Sequence, residues 1–299
     1  MHEHRAYTHP GWEHREAVVN GVRLHYVEAG SGPLVVLLHG FPEFWYGWRH
    51  QIGPLAAAGY RVIAPDMRGY NQSEKPPGVH AYAVETLVED VVTLIAHCGV
   101  TRATVVGHDW GGVVAWEVAM RRPDVVEKLI VLNAPHPAAF LRELRTPAQL
   151  ARSWYALAFQ VPMLPELLIA LGDYRMLRTV FRRDPVRPNA FTEDDIQRYR
   201  DAFAIPGART ATINYYRAAM RRNPRRITLE AVRAVIAPTL LIWGMGDRYL
   251  GPALTERLEQ WVPRLRVERI TGVSHWVQHD APEQVTALML GFLRVDAPA

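Results

Sequence analysis

One stretch of the chain has the form of a reactive turn: Val105-Val106-Gly107-His108-Asp109-Trp110-Gly111-Gly112. The apolar run from Ala103 to Val106 reads as a buried strand, and the pattern from Val113 to Met120 as a helix. A strand, a sharp turn and a helix with one side chain at the apex make a nucleophile elbow. Its glycines let helix and strand approach closely while the apical residue holds a strained backbone. Here the apex is Asp109. A carboxylate is a poor nucleophile towards esters and amides, because the anhydride it would form is too reactive. It can displace a leaving group from an sp³ carbon, giving an alkyl–enzyme ester. Asp109 therefore points towards epoxides or alkyl halides and away from lipase and protease chemistry. Two later turns offer partners. Met245-Gly246-Asp247 follows the apolar run ending at Trp243-Gly244, and Thr271-Gly272-Val273-Ser274-His275-Trp276 follows Ile270. Nucleophile, acid and base in that chain order fit an elbow-based triad.

These residues need strands to hold them, and the chain supplies an alternating pattern. Ala17 to Asn20 and Val22 to Glu28 are β-like runs joined by Asn20-Gly21, a strong hairpin signal. Leu34 to Leu38 reads as a buried strand that stops at His39-Gly40-Phe41-Pro42. Tyr46 to Ala57 reads as a helix, Arg61 to Ala64 as a strand, Tyr82 to His97 as a helix and Lys128 to Leu132 as a strand. After Pro137 the alternation stops for roughly 95 residues of helical, aromatic- and arginine-rich sequence cut by prolines, the size of a small domain. It resumes with a strand at Thr239 to Trp243, a helix at Pro252 to Trp261, a strand at Leu265 to Ile270 and a closing helix at Pro282 to Leu293. This predicts an α/β fold with a mostly parallel sheet and helices on both faces. Ligands bind at the carboxyl edge of such sheets, where the turns carrying Phe41, Asp109, Asp247 and His275 would lie.

Bulk properties narrow the class. With 299 residues and 49% hydrophobic side chains the chain can bury a large core. No apolar run reaches the ~18 residues of a membrane-spanning helix, and Met1 to Gly11 lacks a signal-peptide core. A single cysteine, Cys98, excludes an internal disulfide and thiolate metal cages and suits a reducing cytoplasm. The net charge is +4, with arginine clusters at Arg182-Arg183, Arg221-Arg222 and Arg225-Arg226 balanced by 30 acids. They read as solvated helix faces rather than a nucleic-acid surface, which would interleave a basic stripe with stacking aromatics. His2, His4, His9 and His14 lie in a polar lead expected to fray. His279 stands four residues after His275, a metal-like spacing, but the expected loop between them gives no helix to align a pair of ligands.

The motifs together resemble the α/β-hydrolase-fold epoxide hydrolases of the soluble type, over nearly the whole chain from about Val22 to Leu293. They are His39-Gly40-Phe41-Pro42-Glu43, the Asp109 elbow, the Gly-x-x-Asp ending in Asp247, and His275-Trp276. Two more lie in the helical stretch. Tyr155 precedes Phe159-Gln160-Val161-Pro162 by four residues, and Asn214-Tyr215-Tyr216-Arg217 resembles the family's Asn-Trp-Tyr-Arg, with Tyr215 in place of the usual tryptophan. The resemblance implies an eight-stranded, mostly parallel sheet flanked by helices. The core domain would be residues 1–137 and 234–299, with a helical cap, or lid, at 138–233. It implies Asp109 as nucleophile, His275 as base, Asp247 as its acid, and Tyr155 and Tyr216 assisting ring opening. The backbone N–H groups of Phe41 and Trp110 would form the oxyanion hole. Trp45 and Phe159 are candidate substrate contacts, although Phe44, Trp45 and Trp48 suit a core equally well. No cofactor and no metal are required. The partners implied are a small apolar epoxide and water, with no nucleic acid and no membrane, in a monomer or homodimer; detoxification is one role that fits.

Two other readings share parts of this pattern. A haloalkane dehalogenase uses the same Asp nucleophile and base, and Trp110 would suit halide binding. It would be expected to offer a neutral donor such as Asn where this chain has Phe41, and it gives the two tyrosines no task. A fluoroacetate-type dehalogenase would want arginine where Trp110 stands. A non-catalytic ligand-binding relative usually breaks its triad, and this one is intact.

Overall fold

A computed structural model of the protein describes residues 9–221 and 232–294. Its centre is an eight-stranded sheet in the order β1-β2-β4-β3-β5-β6-β7-β8. The strands are β1 (Trp12–Val19), β2 (Val22–Ala29), β3 (Leu34–Leu38), β4 (Arg61–Pro65), β5 (Ala103–His108), β6 (Val126–Leu132), β7 (Thr239–Gly244) and β8 (Leu265–Ile270). β1 and β2 form the expected hairpin, with Asn20 and Gly21 both at positive φ, as a tight two-residue hairpin turn requires. β2 is also antiparallel to β4, and the remaining pairings are parallel. Leu34–Leu38 is buried at every position, as are Ala103–His108 and Thr239–Gly244. Strands covered on both faces need continuous rather than alternating apolar sequence, and these runs supply it.

Helices α1 (Arg49–Ala57), α2 (Val84–His97) and α3 (Trp110–Arg121) connect the first strands. Between β6 and β7 come α4 (Pro137–Glu143), α5 (Pro147–Arg152), α6 (Trp154–Ala158), α7 (Leu164–Arg183), α8 (Glu193–Ala204) and α9 (Ala208–Met220). Of these, α7, α8 and α9 pack on one another. Thr192 and Asp195 close a reciprocal capping box at the start of α8. The last elements are α10 (Val277–Asp280) and α11 (Pro282–Arg294). The pair α1–α11 and the pair α2–α3 flank the sheet. Among the described residues no helix is long and apolar enough to cross a membrane.

Three expectations need correction. The stretch Pro252 to Trp261 is not a helix: a single 3-10 turn ends at Thr255, and Arg257 takes a positive φ. The Thr255 carbonyl, which a continuing helix would use, instead accepts from Arg269 of β8. His14 is not part of a frayed lead but lies in β1, with Nδ1 2.8 Å from His25 Nε2. The segment after His275 does contain a short helix, α10, yet it turns His279 towards Glu43 rather than towards His275. His2, His4, Arg222, Arg225 and Arg226 lie outside the described residues. Arg183 and Arg221 are exposed, and Arg182 pairs with Glu193 on the surface.

Candidate active site

The elbow is built by close main-chain contact. Asp109 joins β5 to α3 at φ +50°, ψ −121°, a conformation that L-residues rarely hold. A side chain on Gly111 would overlap the Leu38 and His39 carbonyls, so only glycine lets α3 come this near to β3. Gly40 is likewise pressed against the Asp109 side chain. This contact brings the Phe41 N–H to Asp109 Oδ1, to which it donates at 2.8 Å. Trp110, the other expected donor of the oxyanion hole, is the first residue of α3, where main-chain N–H groups have no partner within the helix.

Asp247 follows β7 and is fully enclosed. Its Oδ1 accepts from the Tyr249 and Leu250 N–H groups at 2.7 and 2.9 Å. Its Oδ2 accepts from Asn133 Nδ2 and His275 Nδ1, each at 2.7 Å. Burial alone would raise its pKa, but the His275 charge and these donors hold the carboxyl below its usual range. With Nδ1 so engaged, His275 turns Nε2 towards Asp109 Oδ2 at 3.6 Å. Burial favours the neutral imidazole. The charges of Asp247 and, further off, Asp109 and Glu43 outweigh that and lift its pKa to about 9.

Two phenols from the inserted helices stand over this group. Tyr155 of α6 and Tyr216 of α9 have ring centroids 5.8 Å apart. Phe159 lies 5.9 Å from Tyr155 and 4.9 Å from Tyr216, and Phe41 lies 5.5 Å from Tyr216. Desolvation, then the Asp109 charge, push both hydroxyls above the ordinary phenol range, so both carry their proton at neutral pH. The Trp110 ring meets that of Tyr216 edge to face, with centroids 5.0 Å apart. Tyr215 is held apart from this group: its hydroxyl donates to the Arg68 carbonyl. The two helical motifs interlock through Arg217, which donates to the Phe159 and Val161 carbonyls and grips Glu166.

The structure thus brings together Phe41, Asp109, Trp110, Tyr155, Phe159, Tyr216, Asp247 and His275. Trp45 does not join them. It is 2% exposed and packs against Trp12, His14, Phe44 and Tyr46, with its N–H bonded to Asp66, and is a core residue. Trp48, fully buried, is core as well.

Some of the surroundings escaped the sequence reading. Asn133, at the end of β6, accepts from Gly244 N–H and donates to Asp247, fixing one strand end to the next. Its signal was a polar residue ending an apolar run. Glu43 is fully buried and accepts from Tyr199, His279 and Gln278. Its Oε2 also lies 3.2 Å from His108 Nδ1, and His108 Nε2 donates to the His275 carbonyl. A charged residue amid the aromatics after Pro42 was the only hint of this layer beneath the triad. Tyr249 stacks edgewise on both Tyr155 and His275.

Comparison with known proteins agrees with this arrangement. The family model for the alpha/beta hydrolase fold matches residues 33–282. The AB hydrolase superfamily protein YfhM of Bacillus subtilis is 44% identical over 92% of this chain and 96% of its own length. Epoxide hydrolase 4 of Mus musculus is 37% identical over 92% of this chain and 77% of its own. Among solved structures, an epoxide hydrolase of Bacillus megaterium in complex with an inhibitor superposes with a TM-score of 0.85 at 35% identity, covering 93% of this chain and 99% of that one. Fold, site and relatives agree: the chain belongs to the α/β-hydrolase fold family, among its epoxide hydrolases.

Proposed function

We propose that this epoxide hydrolase converts a small apolar epoxide to a vicinal diol in two steps through an ester on Asp109. The observation that carries the reading is the pair of phenols, Tyr155 and Tyr216, with ring centroids 5.8 Å apart and the Tyr216 ring 5.0 Å from Trp110, the residue that follows Asp109. Asp109 Oδ2 attacks one epoxide carbon from behind, and the C–O bond of the ring breaks. The departing oxygen stays on the substrate and gains negative charge, which the two hydroxyls meet with hydrogen bonds and a proton. The product is a hydroxyalkyl ester of Asp109.

Water then adds to the Asp109 carboxyl carbon, with His275 Nε2 taking its proton and Asp247 steadying the imidazolium. The bond from that carbon to the substrate oxygen then breaks, the water's two protons end on the diol oxygen and the phenol, and the Asp109 carboxylate is restored. The Phe41 and Trp110 N–H groups serve the tetrahedral oxyanion, a task worth ~3 kcal/mol per donor. Alkylation itself prepares the base. His275 is held near a pKa of about 9 partly by the Asp109 charge. Once Asp109 is an ester that charge is gone, so the imidazole moves towards its neutral form when a base is needed.

In this reading residues 138–233 act as a cap over a core of 1–137 and 234–299, with Phe159 and the apolar rings around it lining the substrate site. Such a lining suits an apolar ligand. The triad and tyrosines ask for no metal or cofactor. A reducing, cytoplasmic setting is supported by the lone, free Cys98, and detoxification of apolar epoxides is one role that fits such a site.

The test is a paired assay: styrene oxide with diol as readout, and a bromoalkane of similar size with released bromide as readout. Diol without bromide is the expected result. Bromide without diol would overturn it and make Trp110 a halide ligand. In parallel, His275→Gln should hold the substrate on Asp109, seen as an added mass.

A further inference from the structure

The acid loop after β7 is held from two sides. Its carboxylate is bound from within the core, as described above. Its main chain is gripped from outside by the inserted helices. Arg152 of α5 donates through Nη1 to the Asp247 carbonyl at 2.7 Å. Gln149, also of α5, donates to the Tyr249 carbonyl at 2.8 Å and accepts from the Gly251 N–H at 3.1 Å. At the end of α7, Asp184 accepts from the Tyr249 hydroxyl and from Arg248. Gln149 is 3% exposed, and the second hydrogen of its amide goes to Ser153 Oγ. Its amide is therefore bonded on both sides, and a different side chain would leave half-buried main-chain groups of the loop without these partners.

The other turns of the triad are anchored differently. The elbow's own N–H and carbonyl bond to Leu132 and Val113, both from the core. The His275 carbonyl accepts from His108, also of the core. Arg152 lies three residues before Tyr155. Tyr249, whose carbonyl Gln149 holds, places its ring 5.6 Å from Tyr155 and 5.3 Å from His275.

We infer that Gln149 and Arg152 are positioning residues that lock the Asp247 loop to the helices carrying Tyr155, so that Asp247 aims His275 for hydrolysis of the ester. They touch neither Asp109 nor a reacting atom, and act through Asp247 and Tyr249. The inference rests on the two-step reading above. Because the lock acts on the acid and base, its loss falls on the second step. Ring opening needs Asp109, which keeps its support in the elbow glycines, and the phenols, whose segments stay joined through Arg217 next to Tyr216 and the Phe159 and Val161 carbonyls.

The test is single-turnover kinetics on the intact protein with styrene oxide, following the alkyl-enzyme by quenched-flow mass spectrometry and the diol by chromatography. The variants are Arg152→Met, which keeps the stem and loses the donor, and Gln149→Met. Arg152→Lys serves as the conservative partner, and Gln149→Glu, which keeps the acceptor for Gly251 but loses both donors, as the fallback if Gln149→Met does not fold. The expected result is hydrolysis slowed by tenfold to a hundredfold, on the order of the cost of small misplacements. Alkylation should stay within about twofold, so the ester accumulates, and Arg152→Lys should recover part of the hydrolysis rate. Equal slowing of both steps, or no slowing of either, would overturn the inference. Wild-type protein that makes diol without an adduct at any time would instead remove the two-step reading beneath it.

Discussion

The ends of the sheet strands and the inserted helices hold their functional residues by different means. At the strand ends the backbone does the holding. Asp109 is fixed by glycines that permit van der Waals contact between main chains, and Asp247 by four donors, two of them backbone N–H groups. In the helices, side chains do it: Arg217 ties the segment before Pro162 to α9, and Thr192 and Asp195 cap α8. The surfaces differ too. The strands from β3 to β7 hide their apolar residues. The helices leave Leu157, Met163, Leu164, Leu167, Leu168 and Leu171 in the open, each at least 46% exposed. In the proposed mechanism the half held by the backbone carries the ester chemistry, and the half held by side-chain contacts carries the phenols that assist ring opening.

That contrast can be broken at either half. The largest effect is expected at the elbow. Asp109→Ala should cost turnover on the order of 10⁶-fold, as loss of a nucleophile does elsewhere. Diol formation within a hundredfold of wild type would mean that Asp109 forms no ester. Next come the phenols. Tyr155→Phe and Tyr216→Phe should each slow alkylation by ~10²- to 10⁴-fold, the usual worth of a positioned proton donor. Hydrolysis of ester already formed should change little. If both steps fell together in these variants, the division of labour between helices and sheet would be wrong.

The smallest effect sharpens the comparison through pH. In the free protein His275 holds its proton up to about pH 9. Since it acts as a base only when neutral, hydrolysis of the ester should speed up as pH rises through its pKa. With the Asp109 charge removed, that pKa should fall below the free-enzyme value. A rate profile for the alkyl-enzyme that still turns at pH 9 would mean that Asp109 contributes nothing to the base.

Legibility in the sequence followed the same division. Asp109, Asp247 and His275 could be read because each follows an apolar run and a glycine, and a strand end is a local pattern. The buried strands β3, β5 and β7 are legible for that reason, whereas β1 begins at Trp12, five residues before the apolar run that marked it, because its first half alternates with exposed polar residues. Tyr155 and Tyr216 were visible only through motif resemblance, since a tyrosine in an amphipathic helix looks like any core aromatic. Trp45 shows the converse error: cavity walls and cores are both apolar, so an aromatic beside a reactive turn fits either. Glu43 with His108, and Gln149 with the Tyr249 carbonyl, were out of reach. Each pair joins residues far apart in the chain, and no local pattern marks which polar side chains will meet. The missing helix at Pro252 to Trp261 has the same origin, for Arg269 claims the carbonyl that would have continued it.

The insertion between β6 and β7 bears on how the chain acquires its activity. Asp109 lies before it and Asp247 and His275 after it, so the three meet only once strands from both sides have paired in parallel. Such contacts close large loops before they return stabilisation, which makes them slow to form. Helices, whose bonds are local, form much faster. During refolding, helical content should return early and catalytic competence late, so activity reports on the least local strand pairing of the sheet, β6 with β7.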